Sequence, residues 1–289
     1  MSSSLRRTLF TGSAILLFVV LAGATYQGVA TALERRQFPH PGRMVDVGGH
    51  QLHLSCDGRG APTVLLEAPA TAMSSAWAWV QADVAKVTRV CSYDRAGLGW
   101  SEAGDVPFTP EAVPTELRML LQGSGEPGPY VVAGAELGAA YALLYASRYP
   151  DDTAALVLVD SPGPFSSNRR STAATRFLTV SPWLARTGVL RVTRTLTNSA
   201  VGLPEPAAGA LKAFLNRPDH LTRAAAELSR WDETVAMADA APQRQTLPVT
   251  QVALEGSDRV ALLADRRNAQ DVANAISRAV TSLRARQPR

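Results

Sequence analysis

The residues whose types and spacing could do chemistry are concentrated in one stretch, Tyr130-Val131-Val132-Ala133-Gly134-Ala135-Glu136-Leu137-Gly138-Ala139-Ala140-Tyr141. A short apolar run with β-branched residues passes directly into small residues and then into a helical pattern, which reads as buried strand, sharp turn and first helical turn. That is the layout of a nucleophile elbow, Gly-x-Ser-x-Gly, whose middle residue projects from a strained turn between glycines that make room for it. Gly134 and Gly138 keep the frame, and Glu136 stands in the middle. A serine there would be the attacking oxygen of an ester hydrolase. A carboxylate could instead form an ester intermediate itself, or simply favour the positive end of the following helix.

The other reactive side chains are few. The histidines are His40, His50, His53 and His220; the first three lie in or just before an early hairpin, where half-buried strand positions are expected, and His220 reads as a helix-end residue. Asp160 closes an apolar strand, where a structural role competes with that of a catalytic acid. The cysteines, Cys56 and Cys91, have no Cys or His neighbour at metal-ligand spacing, so neither a metal nor any other cofactor is expected. The 289 residues are 46% hydrophobic, enough for a large core. The net charge of +4 comes from arginines spread along the chain, which gives no nucleic-acid footprint.

These residues must be positioned by elements legible in the pattern. Residues 1–36 form an N-terminal segment: Arg6 and Arg7 precede an uncharged run from Leu9 to Leu33, long enough to span a bilayer. The competing reading is a signal peptide cleaved after Ala22-Gly23-Ala24. The charge bias favours the amino terminus inside, which places the rest of the chain on the extracytoplasmic side of the cell membrane as a single-pass protein, or secretes it. Residues 37–161 then read as hairpin (43–47 and 51–56), strand (63–67), helix (76–87), strand (89–93), a helix opening at Thr109-Pro110 and strained by Pro114, the elbow strand and helix, and the run 155–160. Residues 162–245 carry amphipathic helices over 173–181, 188–197, 205–215 and 221–240, the pattern of an inserted lid. Residues 246–289 return to a strand at 250–254 and a closing helix at 269–283.

The hairpin Val45-Asp46-Val47-Gly48-Gly49-His50, the run Val90-Cys91-Ser92-Tyr93-Asp94-Arg95-Ala96-Gly97 and the helix end Ala146-Ser147-Arg148-Tyr149-Pro150 resemble an α/β-hydrolase of the membrane-anchored bacterial, esterase-like type. The resemblance is close from about Tyr26 to Ser161 and weaker beyond. It implies the α/β-hydrolase fold, a mostly parallel sheet flanked by helices, with a helical lid and an N-terminal transmembrane helix. It also implies backbone oxyanion donors at Ala70 and Leu137, and a base at the position where this chain has Arg259. The loop that presents the family's acid is shortened here. In the strand order the resemblance implies, strands two and four are neighbours, so Cys56 and Cys91 could form a disulfide or remain buried thiols.

Nucleophile, base and acid therefore all depart from the family pattern. Removing a serine triad typically costs about 10⁶-fold in rate. The expectation is a catalytically inactive pseudo-hydrolase that binds a small or lipid-like ligand, or a protein partner. An active hydrolase of carboxylic esters or related substrates using Glu136 or other non-standard groups is the alternative.

Overall fold

The computed structural model describes residues 3–161, 172–254 and 263–286. One helix, α1 (Ser3–Gln37), precedes the sheet. Among the described residues seven strands follow: β1 (Arg43–Asp46), β2 (Gln51–Asp57), β3 (Val64–Glu67), β4 (Val90–Tyr93), β5 (Tyr130–Ala135), β6 (Thr153–Val159) and β7 (Val249–Val252). They form one sheet in the order β1-β2-β4-β3-β5-β6-β7. β2 pairs antiparallel with β1 and β4, and the remaining pairs are parallel. The central strands β3, β5 and β6 are largely apolar, apart from Glu67 at the end of β3 and Thr153 at the start of β6, because helices cover both faces. On one face α2 (Ala78–Val84), entered through a 3₁₀ turn at Ser74–Trp77, packs with the closing helix α10 (Arg266–Arg286) over Val64, Val131 and Val157. On the other, α3 (Ala112–Ser124) and α4 (Leu137–Arg148) cover Leu65, Val132 and Leu156.

Between β6 and β7 the described chain is helical: α5 (Thr172–Arg186), α6 (Val189–Thr193), α7 (Ala207–Phe214), α8 (Pro218–Ser229) and α9 (Trp231–Ala240). The single helix expected over 221–240 is two helices that break at Arg230. They bury different surfaces, α8 against α5 and α9 against α4, so no straight helix could serve both. The segment expected as a helix over 188–197 is the short α6 and a 3₁₀ turn at Thr197–Ala200. Pro114 does not strain α3: the helix starts at Ala112, so Pro114 lies in the first turn, where its missing N–H has no intrahelical partner to lose.

Gly23 and Gly188 meet where α1 passes the start of α6; a Cβ on Gly23 would stand 2.2 Å from the Thr187 carbonyl oxygen. Beyond this point α1 is seated on the helical layer. Gln27 is buried and donates to the Asn216 carbonyl at 2.8 Å, while Arg191 bonds Gln27 at 3.0 Å and pairs with Glu34. Before it, Leu9, Phe10 and Ile15 to Leu21 are exposed. α1 is long and apolar enough to cross a membrane.

Candidate active site

At the C-terminal end of β5 the chain turns through Glu136 alone before α4 begins at Leu137. Glu136 has φ 52° and ψ −121°, a conformation that costs a residue with a Cβ about 1–3 kcal/mol. Its N–H donates to the Val159 carbonyl and its own carbonyl accepts from the Ala139 N–H, both at 2.9 Å. The flanking glycines are a steric requirement. A Cβ on Gly134 would lie 2.2 Å from the Gly138 carbonyl oxygen, and one on Gly138 would lie 2.4 Å from that of Glu67. The elbow geometry is therefore present in full around a glutamate.

The Glu136 side chain is 7% exposed, and its Oε2 accepts the Ala70 N–H at 3.2 Å. Ala70 is the donor that the family pattern assigns to a substrate oxyanion. The Glu136 carboxylate thus takes the N–H that the resemblance assigns to a substrate oxyanion. The cavity beside it is lined by Pro69, Ala76, Ala135 and Leu203, with Asp160 on its wall, and its volume is about 20 Å³. That holds a water molecule and nothing the size of an ester. Leu137, the second expected oxyanion donor, is fully buried at the start of α4. Asp160 follows β6 at φ 46° and donates its N–H to the Val252 carbonyl at 2.8 Å. Arg259 lies outside the described residues.

Among the described residues, no histidine lines that cavity. His53, expected at the surface or half-buried, is instead fully buried, because the segment Phe38–Pro41 lies across β2. Its Nδ1 bonds Asp94 Oδ2 at 2.9 Å and its Nε2 faces the Pro41 carbonyl. An acceptor at each nitrogen favours the protonated ring. Burial opposes that charge, but the Asp94 carboxylate outweighs burial and raises the pKa. Ser74 Oγ lies 3.5 Å from the same Nδ1, whereas a Ser–His–Asp relay needs serine and aspartate on opposite nitrogens. His220 does sit in the first turn of α8, but it is also fully buried and joins two loops: its Nδ1 accepts from the Gly99 N–H and its Nε2–H donates to the Thr71 carbonyl, both at 3.0 Å. Burial keeps it neutral and lowers its pKa.

The charged group behind the elbow has no local signature in the amino-acid pattern. Arg95 is 2% exposed, and its five N–H donors meet five oxygens: Glu67 Oε1 at 2.6 Å, both Glu227 oxygens at 2.9 and 2.8 Å, and the carbonyls of Ala68 at 2.7 Å and Pro69 at 3.2 Å. Tyr93 also donates its hydroxyl to Glu67, and Arg223 reaches Glu227 at 3.1 Å. Burial raises the Glu67 pKa despite Arg95, while for Glu227 the burial penalty is outweighed by Arg95 and Arg223 and its pKa is lowered. Through the two carbonyls Arg95 fixes the loop that presents Ala70 to Glu136.

Cys56 and Cys91 are directly opposite in the β2–β4 register and are joined as a disulfide. Glu126 lies close enough to complete a cation-sized cluster with them, but disulfide sulfurs are not thiolate ligands.

A profile described as the alpha/beta hydrolase fold matches residues 62–287. An uncharacterised vacuolar membrane protein of Saccharomyces cerevisiae is 25% identical over 130 residues, which are 39% of this chain and 20% of that protein. The chain spans about a fifth to a half of the length of the curated relatives it matches. Among solved structures, a putative lipase from Acinetobacter baumannii superposes with a TM-score of 0.64 at 17% identity, covering 90% of this chain and 97% of that one. The epoxide hydrolase CorEH gives 0.57 at 21% identity, covering 73% and 81%.

Proposed function

The chain belongs to the α/β-hydrolase fold family, and within it we propose that this protein is a catalytically silent, membrane-anchored member that binds a small or lipid-like ligand. The observation that carries the reading is the Glu136 carboxylate accepting the Ala70 N–H beside a cavity of about 20 Å³. An enzyme of this fold needs that donor empty in the ground state and a base near the nucleophile. Here the donor is taken by Glu136, and among the described residues no histidine lines the cavity.

The ligand's place is then elsewhere. A cavity of about 520 Å³ opens between β2 and β4, α2, the start of α7 and the segment that follows α1. Phe38, Pro39, Trp100 and Ala210 give it apolar walls, and Ser55, Ser92 and Gln81 put polar groups among them. Its size is that of ordinary small-molecule sites. Its wall is the chain leaving the anchor, which suits an amphiphile arriving from a bilayer. Native mass spectrometry of the protein released from membranes tests this: a bound species of constant mass is expected, and it should be lost in Ala82→Trp, which fills the cavity from an exposed position on α2. Protein that carries no ligand from any membrane source would contradict the binding role.

The anchor reading is supported by the seating of α1. Cleavage after Ala24 would cut a helix whose next turns hold Gln27 and Glu34 against Asn216 and Arg191. The Cys56–Cys91 disulfide supports an extracytoplasmic position for the domain, since such bonds persist in oxidising compartments.

A second reading treats Glu136 as a nucleophile. The strained elbow conformation is the observation in its favour, since a residue with no reaction to perform gains nothing from a positive φ. It requires a base to activate the water that would release the ester, and His53 and His220 are both committed to other partners.

A further inference from the structure

We infer that the corner joining α5 to α6 is a second membrane contact, lying in the headgroup region of an anionic bilayer beside α1. The inference rests on the anchor reading above. The first, fully exposed part of α1 ends where Gly23 meets Thr187 and Gly188, so this corner is the first protein mass encountered along the apolar run, which continues past it to Leu33. Val180 and Trp183 are one helical turn apart on α5, as are Val189 and Val192 on α6, and all four are exposed, Trp183 by 70% and Val192 by 72%. Large apolar side chains grouped at such a position mark a surface covered in use.

The charge around them points to one cover. From Ser161 to Pro204 the chain holds six arginines and no acidic residue. Arg176, Arg186 and Arg194 are exposed, and Arg186 stacks over the Trp183 ring at 4.9 Å. Exposed apolar residues with tryptophan, flanked only by arginines, match the pattern of helices that lie in the plane of a negatively charged membrane surface. A tryptophan with its polar edge near water suits the same depth. Such a contact would set the tilt of the domain on its anchor and hold the helical layer against the lipid.

The test uses the full chain in vesicles containing phosphatidylglycerol, with lipids brominated on the acyl chains as contact quenchers. Tryptophan emission of the native protein should be quenched, and in Trp183→Phe quenching should fall to the small part contributed by Trp100, which bonds the Phe38 carbonyl just past α1, since Trp77 is fully buried. Replacing phosphatidylglycerol by phosphatidylcholine, or Arg186 and Arg194 by glutamine, should reduce it. Equal quenching in native protein and Trp183→Phe overturns the inference, and cross-linking of the patch to a second copy would reassign it. Alkaline extraction of the same vesicles reads the anchor separately. Protein that pellets with Trp183 unquenched refutes the corner contact alone, whereas released protein refutes the anchor and this inference with it.

Discussion

Replacing Arg95 by methionine keeps most of the side chain's volume and removes the charge that joins β3, the 68–70 loop and α8. It strips Glu67 Oε1 of its partner at 2.6 Å, removes two of Glu227's bonds, and leaves the Ala68 and Pro69 carbonyls without their donor. The two carboxylates are 1% and 0% exposed, so solvent cannot replace what is lost. Breaking such a buried pair costs about 3–5 kcal/mol, a large share of a stability of about 5–15 kcal/mol. For a domain of this size the melting temperature should fall by roughly 6–20 °C. Urea unfolding in mild detergent, followed by tryptophan fluorescence, should give a lower midpoint with an unchanged slope. Arg95→Lys should recover only part of the loss, because three donors on a point charge cannot reproduce a planar fork of five. The combined variant Glu67→Gln, Arg95→Met, Glu227→Leu should lie closer to native than Arg95→Met, since it removes both fully buried carboxylates with the guanidinium and leaves only the partly exposed Arg223 without its partner. A midpoint for Arg95→Met that differs from native by less than about 0.5 kcal/mol, the range of ordinary surface changes, would refute the account of the network.

Other outcomes follow from the same geometry. Gly138→Ala places a Cβ 2.4 Å from the Glu67 carbonyl oxygen, and overpacking of this kind should destabilise by about 3 kcal/mol, read as a lower urea midpoint. Intact mass should rise by ~2 Da on reduction of Cys56–Cys91; for a loop of 35 residues the chain-entropy relation gives a loss of about 3–4 kcal/mol in Cys56→Ser/Cys91→Ser. His220 has its pKa lowered, so as pH falls below about 6.5 the unfolded chain takes up a proton that the folded chain refuses, and stability declines. His53 has its pKa raised, and its contribution is full below that value and lost as pH rises through the folded one. His220→Phe should therefore remove a loss of stability on the acid side, measurable as a flatter urea midpoint between pH 6.5 and pH 5, even though its absolute stability is lower.

The elbow was legible because its requirements are local: two glycines four residues apart, a strand before them and a helix after. The Cys56–Cys91 juxtaposition needed a strand order, which only the family resemblance provided. The Arg95 group was invisible, since Glu67 and Glu227 lie 28 and 132 residues away in sequence and nothing local announces the pairing. His53 was misjudged because β2 is covered by a segment that the strand's own periodicity cannot reveal. The break at Arg230 carries neither glycine nor proline, so helical periodicity ran through it, and tertiary packing decided otherwise. The seating of α1 was hidden for a related reason: one uncharged run serves first an exposed span and then a packed helix.

Hydrolysis of a panel of short and medium acyl esters, by the purified full chain and by its Glu136→Ala variant, tests the central claim most directly. With Glu136 taking the Ala70 N–H and, among the described residues, no histidine beside it, both proteins should stay at the buffer rate while remaining folded. Turnover by the native protein that disappears in Glu136→Ala would make Glu136 catalytic and contradict the account.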